Sequence, residues 1–469
     1  MADVRHHDLI IIGTGSGNSL ITPELEGLDI GLVEEGVFGG TCLNVGCIPT
    51  KMYVVVADLL NEIRYAAKLG IQAAPGSVDW PAVRDRIFVN RIDPIAAGGE
   101  AYRRSQDFVT VYAEHAMFVG ERRLRLASGA EITADQVVVA AGSRPDGLDV
   151  DGLRAPDPTH GLHTSDTIMR LAELPPRMVV LGGGFVACEM ANVFAAFGVA
   201  VSQVQRSEVL LTKEERAVSE RYTELARDRY AVHTSTRVTS AQRVDGVWRI
   251  GVEVPEGVST LEAEVVLLAV GRTPNGARLD VTAGGMTLDD GGRVVVDEFQ
   301  RTGVPGTWAL GDVSSSFELK HVANHEARVV AHNLAVTFGA TPGPLQASDH
   351  RFVPHAVFGF PQIASFGPTS AQLDAAGTAY VSKTQSFSDV AYGWALEEGV
   401  GFLMVHATPD GHLLAAHCIG PLAATLIQPL IQAASFGQRA HEVARGQYWI
   451  HPALSEVVEN ALLGLPLSG

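Results

Sequence analysis

Cysteine is scarce in this chain, with four among 469 residues. Scarcity on that scale excludes a disulfide-stapled scaffold. It points to a reducing compartment, where a disulfide is a working part more often than a structural one. Basic residues are outnumbered, 35 Lys and Arg against 53 Asp and Glu, for a formal net charge of −18. Nucleic acid or an anionic membrane surface would be repelled by that balance. Long apolar runs are missing as well. Apolar runs such as Leu9–Ile12 and Val137–Ala141 are strand-sized, against the ~20 residues of a membrane span. No basic segment leads into a long apolar core at the N-terminus. No secretory signal is therefore expected, and the cytoplasm is the expected compartment.

What remains is 46% hydrophobic, 19% charged and rich in glycine, with 49. That composition reads as a turn-rich α/β protein. It is too long for one core, and three or so domains are expected.

Two of the four cysteines, Cys42 and Cys47, share the run GGTCLNVGCIPTK at 39–51. Such a pair is a set of buried thiols, half of a metal site or a redox couple. Zinc needs four ligands, and Cys188 and Cys418 are single, distant and without a finger-like His pattern. On a regular helix five residues rise ~7.5 Å, beyond the roughly 7 Å between Cα atoms that a disulfide tolerates. A redox couple therefore requires a bent backbone, for which Gly46 and Pro49 provide. A bond closed under such strain is easier to reduce, so a switchable pair is the better reading.

Ahead of this run, the apolar strand Asp8–Ile12 enters Gly13-Thr14-Gly15-Ser16-Gly17-Asn18. A second strand, Ile30–Val33, ends at Glu34. Strand, glycine turn, helix, strand and terminal acid make a dinucleotide-binding pattern, with Asn18 in place of the third glycine. The pattern recurs at Met178–Leu181, Gly182-Gly183-Gly184-Phe185-Val186-Ala187, a helix to Phe197 and a strand at Val199–Val204. Two such units mean two nucleotides. The Pro-, Asp- and Gly-rich stretch 145–176 reads as a linker. Strands at Val265–Val270 and Thr307–Leu310 suggest a return to the first domain.

Taken in order, the glycine turn, the cysteine run, VVVAAGSRP (137–145), LGGGFVACE (181–189), LLAVGRTPN (267–275), TWALGDV (307–313) and HPALSEVVEN (451–460) resemble the pyridine nucleotide–disulfide oxidoreductases. These are FAD flavoenzymes such as glutathione reductase and dihydrolipoyl dehydrogenase, and the likeness spans essentially the whole chain. Within the family, the runs 12–18, 91–104, 319–330 and 446–465 are most similar to the branch that reduces mycothione, a sugar–inositol–cysteinyl disulfide.

The resemblance implies a glutathione-reductase-like fold. It would have two Rossmann-like dinucleotide-binding domains, for FAD and NAD(P)H, and a C-terminal α+β dimerisation domain. FAD would occupy 1–150 and a return segment 276–345, NADPH 151–275, and the subunit interface 346–469. It also assigns residues. Gly13, Gly15 and Ser16, with the following helix N-terminus, would approach the FAD pyrophosphate. Glu34 would hold the adenosine ribose and Asp312 the ribityl chain. Gly40, Thr41, Ala141, Gly142, Gly271, Arg272, Gly311 and His321 would complete the flavin and nucleotide contacts. Lys51 and Glu189 would form an ion pair beside the flavin. Gly182, Gly184 and Ala187 would form the second nucleotide turn, with Phe185 where many relatives carry a lid tyrosine.

Past the second strand comes Arg206, with no acid, which favours NADPH over NADH; Thr212 replaces a second phosphate-binding arginine, with Lys213 beside it. His451 and Glu456 would be the acid–base pair, lent by the partner subunit of a homodimer. Cys42 would be the interchange thiol and Cys47 the flavin-side thiolate, while Cys188 and Cys418 read as buried small hydrophobes. The absence of Lys and Arg between Arg5 and Lys51 disfavours an anionic peptide disulfide and suits mycothione. The alternatives are an NAD-dependent dihydrolipoyl dehydrogenase, a glutathione-disulfide reductase, or a flavin-bound regulatory protein without turnover. High-molecular-weight thioredoxin reductase and mercuric reductase would need extra C-terminal cysteines, and 464–469 has none, so neither is expected.

Overall fold

The computed structural model describes residues 4–255 and 257–468. The chain divides into two compact units, each assembled from separate stretches: 1–50, 81–146 and 271–350 in one, and 51–80, 147–270 and 351–469 in the other.

A seven-stranded mixed sheet centres the first unit. Its order is Val109–Tyr112, Ile30–Val33, Arg5–Ile12, Glu131–Val139, Arg123–Leu126 and Ala116–Gly120, with Thr307–Ala309 also paired to Glu131–Val139. The first four strands and Thr307–Ala309 run parallel, and Arg123–Leu126 pairs antiparallel with both Glu131–Val139 and Ala116–Gly120. Leu9 to Ile12 is continuously apolar because both faces of this strand are covered, as parallel sheets demand. Ile10 and Ile12 pack with Val137, Val139 and Ala309 on one side. Leu9 and Ile11 pack with Val138, Trp308 and Leu310 on the other. Each of these four side chains contributes roughly 1.5–3 kcal/mol by leaving water.

The expected helix after the first glycine turn is not there. Two 3₁₀ turns, Gly17–Leu20 and Pro23–Leu25, fill the space before Ile30. Pro23 lacks the N–H a continuing helix needs, and Gly27, at φ 102°, turns the chain back toward the sheet.

The second unit holds a five-stranded parallel sheet in the order Ala231–His233, Ala200–Val204, Arg177–Leu181, Val265–Leu268, Leu162–His163. Here the expected helix does form, as Phe185–Ala196. A three-stranded antiparallel sheet of Arg237–Val244, Val247–Val254 and Gly257–Ala263 accompanies it. The remaining antiparallel sheet runs Pro354–Val357, Gln362–Phe366, Leu413–Gly420, Phe402–Ala407, Val381–Ser386. Against it the helix Ser455–Leu463 buries Val457, Val458, Ala461 and Leu462.

Counting only unbroken apolar runs misses one stretch. Gly40–Leu69 is long and apolar enough to cross a membrane, by length and composition alone. Lys51, Asp58 and Glu62 fall within it, and charges inside a lipid-facing helix are costly.

Candidate functional site

The cysteine run folds as two helices broken at the point the spacing requires. Gly40–Asn44 is a short helix ending at Val45, and Gly46 leads directly into the helix Cys47–Tyr65. Gly46 packs so closely that a Cβ there would lie 2.9 Å from the Thr41 carbonyl oxygen and 3.2 Å from the Cys42 Cα. Pro49 falls in the first turn of the second helix, where its missing N–H costs nothing. Both cysteines are thiols, Cys42 half-buried and Cys47 exposed.

The Cys42 thiol is drawn down from 9.0 to about 7. Its hydrogen bond with Cys47 is the main cause. Burial opposes the shift, and the Lys320 charge and the N–H groups of Cys47 and Ile48 at the helix start reinforce it. A thiol at about 7 is half thiolate near neutral pH, the reactive form.

Lys320 is the cation the local sequence lacks. It begins the helix Lys320–Thr337 and donates to Ser16 Oγ at 2.9 Å, while Ser16 donates to Asn324 Oδ1 at 3.1 Å. The cation-free stretch between Arg5 and Lys51 is thus met in space by a residue far along the chain. This weakens the expectation that an anionic disulfide is disfavoured. Neither Lys320 nor Asn324 was legible as a site residue, since nothing in their own neighbourhood marks them.

The first glycine turn makes a cradle that a larger residue would fill. A Cβ on Gly13, at φ 102°, would lie 2.3 Å from the Ala140 carbonyl oxygen, and one on Gly40 would lie 2.6 Å from the Gly15 Cα. Glu34 accepts from the Thr14 N–H at 2.9 Å, from Thr14 Oγ1 at 2.7 Å and from the Gly36 N–H at 2.9 Å. These bonds fix the carboxylate at the end of its strand and leave lone pairs for ribose hydroxyls. The helix N-terminus expected beside the pyrophosphate is replaced by the 3₁₀ turn at Gly17. The dipole argument for this turn falls with it, and the backbone cradle remains.

Farther along, Ser143 Oγ donates to Asp312 Oδ2 at 2.8 Å, and Arg272 donates to Ser143 Oγ at 2.8 Å and to its carbonyl at 2.7 Å. Arg272 therefore organises Asp312 through Ser143. Ala141 and Gly142 are fixed by Asn275, whose side chain donates to the Ala141 carbonyl and whose N–H donates to that of Gly142. Gly271 bonds the Asp146 N–H, Gly311 donates to buried Glu326, Thr41 is exposed on its short helix, and His321 is exposed beside Lys320. Glycine-only approach, an anchored terminal acid and an oriented Asp312 together fit FAD.

In the second unit, Gly182 takes φ 127°, and a Cβ there would lie 2.1 Å from the Ala269 carbonyl oxygen. Gly183 abuts Gln205, Gly184 opens on free space at the head of Phe185–Ala196, and Ala187 is buried. Phe185 is exposed, and Arg206, Thr212 and Lys213 are exposed past the strand Ala200–Val204. This cradle, with cations beyond its strand, fits a phosphorylated nucleotide.

Lys51 and Glu189 are neighbours without a direct salt bridge. The Lys51 ammonium stands 3.6 Å over the Phe358 ring, and the Phe358 N–H donates to Glu189 Oε1 at 2.8 Å. Burial pushes Glu189 up to about 7, opposed by that hydrogen bond and by Lys51. Burial likewise lowers Lys51, against the charges of Asp58 and then Glu189. Phe358 and Asp58 are further members of this group that the sequence did not reveal.

His451 Nδ1 lies 2.7 Å from Glu456 Oε1, and the Ala453 N–H donates to the other carboxylate oxygen at 3.2 Å. Glu456 is held below the ordinary carboxylate range, first by His451. The imidazole is 69% exposed, which leaves its far nitrogen open. Cys188 and Cys418 are fully buried; burial lifts Cys188 to about 12 and Cys418 higher still. Neither is a nucleophile.

Sequence comparison agrees with this geometry. The pyridine nucleotide-disulphide oxidoreductase profile matches residues 7–327, and the dimerisation domain profile of the same family matches 353–462. The chain is 48% identical to a mycothione reductase of Mycobacterium tuberculosis, over 98% of this chain and 99% of that protein. It is 32% identical to a dihydrolipoyl dehydrogenase of Halobacterium salinarum, over 97% and 95%. Among solved structures, the HOCl-induced flavoprotein disulfide reductase RclA from Escherichia coli superposes with a TM-score of 0.83 at 22% identity. That match covers 97% of this chain and 99% of the other.

Proposed function

The chain belongs to the pyridine nucleotide-disulphide oxidoreductase family and is a disulfide oxidoreductase, and we propose that it is an NADPH-dependent, FAD-bearing reductase of mycothione. It works as a cytoplasmic homodimer. The observation that carries this reading is the Cys42 thiol drawn to about 7 beside Cys47, at a helix start and under the Lys320 charge. Near-full-length similarity to a mycothione reductase supports the choice of substrate.

Residues 1–150 and 276–345 hold FAD, 151–275 hold the nicotinamide nucleotide, and 346–469 form the interface. When bound, the flavin and NADPH supply the electron pair that opens the Cys42–Cys47 disulfide. Every other step belongs to the chain's own residues. The Cys42 thiolate attacks one sulfur of the bound disulfide, whose S–S bond breaks. His451, oriented by Glu456, gives its proton to the departing thiolate. Cys47 then attacks the mixed disulfide at Cys42, which releases the second thiol and restores the Cys42–Cys47 bond. Arg206 and Lys213 meet the 2′-phosphate of NADPH, and Lys51 and Glu189 set the charge near the flavin.

Comparing NADPH and NADH oxidation with mycothione, glutathione disulfide and lipoamide tests the reading. NADPH with mycothione is the expected pair. Preference for lipoamide with NAD would overturn the substrate and leave the family intact.

A further inference from the structure

Two histidines and a carboxylate converge in the second unit, and none of them belongs to the sites above. His406 lies on the strand Phe402–Ala407 and His417 on Leu413–Gly420. These strands pair antiparallel, with Met404 opposite His417 and His406 opposite Ala415, so the two imidazoles share one face of the sheet. Their ring centroids are 5.5 Å apart. Glu215, at the head of the helix Arg216–Arg227, brings a carboxylate to them. One ligand atom from each residue lies within 4.8 Å of the others. All three residues are buried, with relative exposures of 6% for Glu215 and 1% for each histidine.

The hydrogen bonding of this cluster is incomplete in a directed way. His417 donates from Nε2 to the Pro368 carbonyl at 3.2 Å. A carbonyl only accepts, so Nδ1 of that ring is left as a bare lone pair. His406 Nε2 lies 3.2 Å from Ser370 Oγ. Nδ1 of both rings is buried without a hydrogen-bond partner among the described residues. Glu215 accepts the Ser370 N–H through one oxygen at 2.8 Å. Pro368 and Ser370, at the start of the helix Ser370–Ala375, therefore orient all three groups, as second-sphere partners orient metal ligands. An unpaired buried polar atom is costly, and the His417 Nδ1 lone pair, beside a second unpartnered imidazole nitrogen and a buried carboxylate, makes a donor set suited to a cation.

We propose that Glu215, His406 and His417 form a binding site for a divalent transition-metal ion, zinc by the match of two imidazoles and one carboxylate to its coordination. Zinc sits ~2.0–2.1 Å from such donors, so the ligand atoms draw together around it. The ion ties the helix Arg216–Arg227 to the antiparallel sheet, and it takes no part in disulfide reduction.

The test uses the full-length FAD-loaded enzyme carrying Cys42→Ser and Cys47→Ser, because the active-site thiols would also take up zinc. After equilibration with zinc sulfate and exhaustive dialysis, metal content is measured by mass spectrometry and the ligands by zinc-edge X-ray absorption. The site should retain about one zinc per chain with two imidazole ligands, and zinc should raise the melting temperature. His417→Ala and Glu215→Gln should each lower retained zinc at least about tenfold and abolish the melting shift. If His417→Ala fails to fold, the near-isosteric Glu215→Gln carries the comparison. Substoichiometric zinc in the parent, a spectrum without imidazole, or undiminished zinc in the folded variants would overturn the site.

Discussion

Gly46 lies against Cys42, so that a Cβ at Gly46 would come within 3.2 Å of the Cys42 Cα and 2.9 Å of the Thr41 carbonyl oxygen. This close approach folds the second cysteine back toward the first across a five-residue separation that a straight helix could not bridge. Gly46→Ala must push the segment outward and impair closure of the disulfide. The dithiol–disulfide equilibrium of the variant should shift at least about tenfold toward the dithiol, as read by titration in dithiothreitol redox buffers. A variant that titrates like the parent would separate the glycine from the redox chemistry.

Cys42 should alkylate as a thiol of pKa about 7. In the NADPH-reduced enzyme, the rate of iodoacetamide modification at Cys42, resolved by peptide mass spectrometry, should be half-maximal near that pH. Lowering the pH below it should protect the thiol, because the reactive thiolate is lost by protonation. Lys320→Met removes a charge that favours the thiolate, and its profile should move toward the ordinary 9.0. An unmoved profile would mean that Lys320 serves Ser16 alone.

His451 and Glu456 should act on the thiol-releasing half of turnover. His451→Ala should lower turnover with disulfide by about 10²–10⁴-fold, and Glu456→Gln, which loses the charge and can fix the wrong imidazole tautomer, by up to about 10⁴-fold. Stopped-flow reduction of the enzyme by NADPH alone should be unchanged in both. A slowed reductive half-reaction would place the pair elsewhere in the cycle.

Glu189 makes stability depend on pH in a definite direction. Its folded pKa of about 7 lies above the ordinary 4.5, so the folded state holds the proton longer than the unfolded chain. Stability from this group is full below pH 4.5 and declines as pH rises through 7, by roughly 3 kcal/mol at most. Asp58, raised to about 6 by burial, adds a decline of the same sign. Comparing melting of Glu189→Gln with the parent isolates the Glu189 contribution. The variant should lose less stability between pH 5 and pH 8, and parallel curves would contradict the assignment.

Much of this was legible in the sequence because it rests on local pattern. Leu9–Ile12 reads as a doubly covered strand because its apolar run is unbroken. Gly182 reads as a turn because only glycine accepts its backbone there. His451 and Glu456, close in the chain, need only one turn to meet. What stayed hidden depends on contacts that spacing does not encode. Lys320 reaches Ser16 and Cys42 from the far side of the chain, and Phe358 links Lys51 to Glu189 through its ring and its N–H. His406 and His417 share a face only because Met404 pairs with His417. The helix after Gly13 failed for a local reason, since Pro23 and the short path to Ile30 favour 3₁₀ turns over a helix.

The most direct test is differential thiol labelling of the purified holoenzyme before and after one equivalent of NADPH, read by peptide mass spectrometry. Cys42 and Cys47 should resist alkylation before NADPH and take up label together after it, with Cys188 and Cys418 unlabelled throughout. Labelling of Cys42 and Cys47 that is indifferent to NADPH would contradict the account.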